Sequence, residues 1–175
     1  MKTDNSHIKA KVDLRINHLP EGDIYVLDCY SGKGIIWKEI KDRTGRNIKV
    51  LPIDIKKDNI FHLVGNNLDF LSTIDLSKFN VVDLDAYGTP FDQLEILFKK
   101  DYHGTVFVTF IQSIMGAIPY GLLETVGFTR EMINKIPTLF YRCGWDYFLQ
   151  YLANKNINKI YHYSFDRKHY IYFTM

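Results

Sequence analysis

The sequence of 175 residues has the length of one domain, and its hydrophobic content of 46% is sufficient for a buried core. Charged residues make up 24% and the formal net charge is +2, which excludes a strong overall field for binding polyanions. The two cysteines form no metal-spaced pair, and the N-terminus has no signal-peptide core. No apolar run approaches the roughly 20 residues of a membrane helix. We expect one cytoplasmic domain over residues 1–175, without membrane or metal.

Strand-like and helix-like segments alternate along the chain. Residues 1–22 are predicted to form an N-terminal helical extension that contains a helix over His7–His18. The predicted elements that follow are, in order, strand Ile24–Asp28, helix Ile35–Thr44, strand Ile48–Ile53, strand Asn59–Val64, strand Asn80–Leu84, a helix capped by Thr89, and strand Gly104–Phe110. Two β-rich runs, Ile157–Tyr163 and His169–Phe173, close the chain as a hairpin. Such alternation favours a parallel α/β sheet with an antiparallel end.

A long connection precedes the final hairpin. Residues 111–156 have a mostly helical pattern that is interrupted at Pro119, Gly127 and Pro137. Because connections between neighbouring elements are usually short, we expect this segment to form a lid over the substrate or a dimer contact.

A glycine-rich turn follows the first predicted strand. The segment Asp28–Gly34 leads from an acidic strand end into a helix, where backbone can approach a ligand closely. It lacks the Gly-Lys-Ser/Thr of a phosphate loop. It also lacks the third glycine of the dinucleotide fingerprint, because Trp37 occupies that position. A fixed carboxylate disfavours an anionic pyrophosphate. Asp28 therefore favours a positively charged cofactor such as S-adenosylmethionine, and an ordinary tight turn is the alternative.

Three more polar segments follow the later strands. Asp54 ends the second strand, at the distance from the glycine turn where an acid commonly binds ribose hydroxyls. Asn66 stands in a turn after the third strand, where an amide could read the edge of an adenine ring. Asp85 and Tyr87 follow the fourth strand, where a carboxylate could face a ligand and a ring could stack on a planar substrate. Solvated turns and a helix start are the alternatives.

Together these segments resemble the class I S-adenosylmethionine-dependent methyltransferases, over residues 24–173. The segment Asp83–Pro90 is most similar to Asp-Leu-Asp-Pro-Tyr/Phe-Gly-Thr/Ser-Pro of the tRNA guanine dimethyltransferases, with Ala86 in place of proline. The resemblance implies a Rossmann-like α/β fold. Its seven-stranded, mostly parallel sheet has an antiparallel last strand and helices on both faces.

The resemblance also implies site residues. Those expected to bind S-adenosylmethionine are Asp28, Tyr30, Ser31, Gly32, Gly34, Asp54, Ile55, Asn66, Asn67 and Asp85. Asp85 and Tyr87 are the expected catalytic residues. Asp85 and the Ala86 carbonyl would accept hydrogen bonds from an exocyclic amine of a nucleic-acid base, and Tyr87 would stack on that base. RNA is favoured over DNA, because a base in a loop needs less unstacking.

Departures from the family pattern keep other functions open. Ala86 replaces a proline, Asn66 stands where many members carry Asp, and the large substrate-binding domain of the tRNA enzymes is missing. A protein or small-molecule acceptor is one alternative. A non-catalytic subunit of the same fold that binds a partner is another, and a homodimer or an activating partner fits either.

The basic residues of the leading helix have two interpretations. Lys9, Lys11 and Arg15 could guide a phosphate backbone, or they could form a solvated helix face.

Overall fold

The computed structural model describes residues 7–55, 63–112 and 117–175. Within these ranges the helices are α1 to α7, at Ile8–Asn17, Ile35–Thr44, Asn67–Thr73, Phe91–Lys99, Tyr120–Thr125, Arg130–Lys135 and Leu139–Asn154. The strands are β1 to β7, at Ile24–Asp28, Ile48–Asp54, Leu63–Val64, Val81–Leu84, Thr105–Ile111, Tyr161–Phe165 and Lys168–Thr174. None of the described helices is long and apolar enough to cross a membrane.

The strands form one sheet in the order β3-β2-β1-β4-β5-β7-β6. Strand β7 runs antiparallel to both of its neighbours, and the pairings among β1 to β5 are parallel. The central strands β4 and β5 are buried on both faces, which their continuous apolar runs require. The predicted seven-stranded sheet with an antiparallel last strand is confirmed.

Helices cover both faces of the sheet. Helices α1 and α2 pack on one face through Val12, Trp37 and Ile40. The other helices pack on the opposite face, where the larger core includes Leu94 of α4 and Phe148 of α7. The chain reverses direction between β1 and β4 in the sheet order, and ligands of open α/β sheets bind beside such a point, at the carboxyl ends of the strands.

Several predicted boundaries differ from the structure. Thr89 is not the N-cap of its helix: Pro90 occupies that position, although the Thr89 hydroxyl still accepts a hydrogen bond from the Phe91 N–H at 3.3 Å. Of the predicted strand over residues 59–64, only Leu63–Val64 lies in the described part of the chain. The first strand of the final hairpin was predicted to end at Tyr163 but ends at Phe165, because all of Tyr161–Phe165 pairs with β7. The hairpin therefore turns at residues 166–167.

Helix α3 was not predicted. It has only 7 residues, too few for a helical period to be recognised, and it begins where Asn66 caps it. The connection after β5 contains α5, α6 and α7, with breaks at Gly127 and Pro137 as predicted. Its role as a lid stays a prediction, and residues 113–116 of it lie outside the described residues.

Both interpretations of the basic residues of α1 are wrong for Lys11 and Arg15. Arg15 is 1% exposed, and its guanidinium donates to both carboxylate oxygens of Asp83 at 2.7 and 2.6 Å. Lys11 is 8% exposed and donates to both oxygens of Asp85 at 2.7 and 2.8 Å. These two residues are four apart, so they share the face of α1 that packs on the sheet. They are internal counter-ions rather than solvated groups or contacts for nucleic acid.

We expect the Arg15–Asp83 pair to be essential for stability. Arg15→Met would leave the buried Asp83 carboxylate with the Trp37 indole N–H, at 2.8 Å, as its remaining side-chain donor. Removing one member of a buried ion pair typically costs about 3–5 kcal/mol, so the free energy of unfolding should fall by about that amount. Urea denaturation followed by tryptophan fluorescence measures it.

Arg43→Met is the matched control. Arg43 is 39% exposed and pairs with Asp13 and Glu39 at the surface, where ion pairs contribute little. This variant should unfold at nearly the urea concentration of the wild type. Equal unfolding midpoints for the two variants would contradict a stabilising role for the buried pair.

Candidate functional site

The glycine turn after β1 has the conformation that its sequence predicts. Gly32 has φ 53° and Gly34 has φ 67°, which is the left-handed region where a side chain is strained. The Ser31 N–H donates to the Ile53 carbonyl at 3.1 Å, and the Gly34 N–H donates to the Ser31 carbonyl at 2.7 Å. The turn is thereby tied to the end of β2, and α2 begins directly after it.

Asp54 holds this turn from the neighbouring strand. Its Oδ2 accepts a hydrogen bond from the Gly32 N–H at 2.7 Å. Ile55, the next residue, is 75% exposed. The structure thus brings the predicted residues of the first two strand ends together, and it places an exposed apolar side chain beside them.

The two asparagines have different surroundings. The Asn66 side chain caps α3 by accepting from the Leu68 N–H at 3.0 Å. Asn67 donates to the Cys29 carbonyl at 3.0 Å and accepts from the Gln93 amide at 2.8 Å. Asn67 therefore braces the glycine turn against α4, whereas the side-chain oxygen of Asn66 is already used within its own helix start.

Tyr30 packs against this brace. Burial raises the pKa of its phenol to about 12, and the hydrogen bond with Asn67 opposes that effect. Tyr30 is therefore neutral at physiological pH. It contributes a hydroxyl and an aromatic wall to the turn rather than a charge.

Three carboxylates lie together at the carboxyl ends of β1 and β4. Asp28 pairs in register with Asp83, and the Cys29 N–H donates to the Asp83 carbonyl at 3.0 Å. Asp85 lies just beyond and accepts a hydrogen bond from the Thr109 hydroxyl of β5 in addition to those from Lys11. We call Asp28, Asp83 and Asp85 the acid cluster.

Two cations of α1 face the acid cluster, and each is bound to one acid. Arg15 pairs with Asp83 and Lys11 pairs with Asp85. Asp28 is 5% exposed and forms no ion pair with a described residue; its carboxylate accepts from the Tyr30 N–H at 3.3 Å. Burial raises the pKa of Asp28 well above its usual value, and repulsion from Asp83 and Asp85 raises it further. The site would therefore bind a cation at Asp28 favourably.

The loop after β4 lies beside a cavity. Tyr87 is 66% exposed, and the Gly88 carbonyl accepts from the Ile111 N–H of β5 at 2.8 Å. The cavity has a volume of ≈ 370 Å³ and is lined by residues that include Tyr87, Ile111 and Phe140. Volumes of this size accommodate small molecules. Of the two predicted catalytic residues, Tyr87 thus lines a space that an acceptor could enter, whereas Asp85 is not among its lining residues and is bound by Lys11 and Thr109.

Sequence reasoning missed the residues that neutralise the acid cluster. Lys11, Arg15 and Thr109 come from elements that are distant in sequence from Asp83 and Asp85. The spacing of Lys11 and Arg15 on one helix face was visible, but polar residues at such positions usually face water. Only the three-dimensional packing of α1 shows that they face the sheet.

Comparison with known proteins supports the fold. No family model matches the sequence, and no curated protein matches it significantly. A candidate S-adenosyl-L-methionine-dependent methyltransferase from Methanococcus maripaludis aligns over 94% of this chain and 84% of its own, with TM-score 0.53 and 13% identity. Geranyl diphosphate methyltransferase, solved with GPP and sinefungin, aligns over 88% of this chain, with TM-score 0.50 and 12% identity.

A protein described as a possible exported protein from Bordetella parapertussis aligns over 95% of this chain, with TM-score 0.54 and 9% identity. This chain spans 66% of the Bordetella protein and 62% of geranyl diphosphate methyltransferase, less than two thirds of each. At such low identity the likeness shows the fold. The chain has the Rossmann-like fold of S-adenosylmethionine-dependent methyltransferases, as the sequence predicted. The finer resemblance to tRNA guanine dimethyltransferases stays a prediction.

The raised pKa of Asp28 has a consequence for stability. The folded chain holds a proton on Asp28 at pH values where the unfolded chain, with a pKa near 3.8, has lost it. Stability from this group is therefore fully present below about pH 4 and is lost as the pH rises toward the folded pKa. Asp28→Asn should be more stable than the wild type at pH 7, by at least about 1 kcal/mol, and equal to it near pH 4.

Urea denaturation at pH 4, 5.5 and 7 measures this difference. Asp101→Asn is the control, because Asp101 is exposed and distant from the acid cluster. An Asp28→Asn variant that is less stable than the wild type at pH 7 would show that the Asp28 carboxylate is not destabilising in the folded chain.

Proposed function

We propose that this protein is a methyltransferase that uses S-adenosylmethionine. The observation that carries the proposal is Asp28, a buried carboxylate without an ion-pair partner among the described residues, directly before a left-handed glycine turn. The ammonium and sulfonium of S-adenosylmethionine are the cations that such a site would favour. The fold shared with S-adenosylmethionine-dependent methyltransferases supports the same cofactor.

The residues at the strand ends fit this cofactor. Asp28 and the backbone of Gly32 and Gly34 would hold its amino-acid part, because the acid matches an ammonium and the glycines allow close approach. Asp54 is positioned at the end of β2 for the ribose hydroxyls, with the exposed Ile55 beside it for the adenine face. When bound, the cofactor supplies an electrophilic methyl group, and the protein supplies orientation and charge.

The acceptor would enter beside the loop after β4. An ionised carboxylate has about four acceptor positions. At Asp85, hydrogen bonds from Lys11 and Thr109 occupy three of these four positions. One position on Oδ2 is left for an N–H of the molecule that receives the methyl group. Asp85 would then orient the acceptor nitrogen while Lys11 fixes the carboxylate. The Ala86 carbonyl would be a second acceptor beside it.

Two acceptor classes remain candidates, each supported by one observation. The cavity of ≈ 370 Å³ beside Tyr87 has the volume of a small-molecule site. The high exposure of the Tyr87 ring supports the predicted acceptor, an exocyclic amine of a nucleic-acid base, because exposed aromatic rings stack on bases. We favour the small molecule, because Lys11 and Arg15, two of the basic residues expected to contact a phosphate backbone, are buried in ion pairs. A homodimer or an activating partner stays a prediction.

The cofactor can be tested by calorimetry with S-adenosylmethionine. The wild type should bind it, and Asp28→Asn should bind at least about tenfold more weakly, because the cation loses its counter-charge. Binding should release protons from Asp28, so the measured enthalpy should depend on the buffer. Asp101→Asn should match the wild type. Absence of binding by the folded wild type would exclude the proposed cofactor.

The role of Asp85 can be tested by transfer of labelled methyl from S-adenosylmethionine to pools of RNA, protein and small metabolites. Asp85→Asn keeps the shape of the side chain but not its charge. It should lower transfer at least about 100-fold while the cofactor affinity changes by less than about threefold. Asp101→Asn again serves as the control. Full turnover by Asp85→Asn would remove Asp85 from the proposed mechanism, and label in no pool would favour a non-catalytic protein.

A further inference from the structure

A second cavity lies at the carboxyl end of β5, beside the turn between β6 and β7. Its volume is ≈ 620 Å³, within the range of small-molecule sites. Polar and aromatic residues from four separate parts of the chain line it: His7, Gln112, Tyr141, Asp166, Arg167 and Lys168. We call it the Arg167 cavity.

Arg167 is the unusual residue of this cavity. Its guanidinium carbon lies 3.2 Å from the centroid of the Tyr141 ring, so the group is stacked on α7. The guanidinium forms no hydrogen bond or ion pair with a described residue, and its Nη1 is buried without a partner. Asp166 lines the same cavity but makes no ion pair with Arg167. Arg167 is thus a partly buried permanent cation with no counter-charge among the residues that the structure describes.

A cation in this state is costly unless an anion completes it. A buried donor that is left unpaired has lost its hydrogen bonds to water without replacing them, and this loss is larger if the donor is charged. The stack on Tyr141 covers one face of the guanidinium, and Arg167 also lines the cavity, where its remaining N–H donors could reach a ligand. A carboxylate or phosphate group matches these donors in charge and in fork geometry.

The wall of the Arg167 cavity is held rigidly. Gln112 donates to the carbonyls of Phe140 and Tyr141 at 3.3 Å each, and its Oε1 lies 3.2 Å from Nε2 of His169. The Gln112 N–H donates to the Arg167 carbonyl at 3.0 Å, which fixes the hairpin turn against the end of β5. A preformed wall lowers the entropy cost of binding a ligand.

The Arg167 cavity adjoins the loop that would hold the acceptor. Ile111 lines both this cavity and the cavity beside Tyr87, and the Ile111 N–H donates to the Gly88 carbonyl at 2.8 Å. A single small molecule could therefore place its anionic end at Arg167 and its other end in the cavity beside Tyr87.

We propose that the Arg167 cavity binds the carboxylate or phosphate group of a low-molecular-weight methyl acceptor, with Arg167 as the anion-binding residue. This inference rests on the proposed methyltransferase function for the identity of its ligand as an acceptor. The anion site itself does not depend on S-adenosylmethionine.

The anion site is tested without the cofactor, by titrating ¹⁵N-labelled protein with inorganic phosphate and, separately, with benzoate at constant ionic strength. The Arg167 Nε–H signal, identified by its loss in Arg167→Lys, should shift and saturate with at least one of the two anions. Saturation with benzoate indicates a carboxylate-bearing acceptor, and saturation with phosphate indicates a phosphate-bearing one. Failure of both anions to give a saturating shift would overturn the proposal.

Two variants distinguish specific anion binding at Arg167 from a nonspecific effect of the protein's positive charge. Arg167→Gln should weaken anion binding at least about tenfold, monitored on the Gln112 side-chain signals. Arg142→Gln removes the same charge from an exposed position next to Tyr141 and should bind as the wild type does. Equal affinities of both variants and the wild type would overturn the role of Arg167.

The link to the acceptor is tested by labelled-methyl transfer to separated pools of small acidic metabolites and of RNA. Label in the acidic pool that falls at least about tenfold in Arg167→Gln, with unchanged calorimetric affinity for S-adenosylmethionine, supports the proposal. Label in RNA that is unaffected by Arg167→Gln overturns it. A protein that binds the anions but not S-adenosylmethionine would refute the proposed function and leave the anion site standing.

Discussion

The buried ion pair between Arg15 and Asp83 is the interaction on which the rest of the structure depends. It joins α1 to the centre of the sheet, and the Trp37 indole adds α2 to the same carboxylate. Because both charges are almost fully buried, neither can be left without the other. The pair therefore determines where α1 lies on the sheet, and with it the position of Lys11 one helical turn earlier.

The position of α1 in turn sets the charge balance of the candidate site. Within the described residues, two cations face three carboxylates at the carboxyl ends of β1 and β4, and Asp28 is the acid that forms no ion pair there. A cationic ligand would stabilise the ionised form of Asp28, which burial and the neighbouring acids otherwise disfavour. The same arrangement fixes Asp85 through Lys11 and Thr109, so that the acceptor side of the site is preorganised.

The fold and the glycine turn between β1 and α2 could be predicted from sequence because their signals are local. A continuous apolar run, a terminal acid and glycines at two alternate positions specify β1 and the turn to α2, and the structure has β1 and α2 at the predicted residues. The partners of Asp83 and Asp85 could not be predicted, because they come from residues 68 and 74 positions earlier in the chain. A lysine and an arginine on a short helix look the same whether they face water or a buried carboxylate.

The distance in sequence between α1 and its partners has a consequence for biosynthesis. Helix α1 leaves the ribosome before the sheet, with two basic side chains that cannot be paired until β4 has been made. The docking of α1 on the sheet must therefore follow the synthesis of β4. Strand β7, which comes after β6 in sequence, must still insert between β5 and β6. A segment that precedes the parallel strands in sequence and one that follows them thus meet on the same face, where the His18 ring stacks on the Tyr172 ring at 4.1 Å between centroids. During translation the acid cluster is therefore complete only once β4 and the loop that follows it have been made.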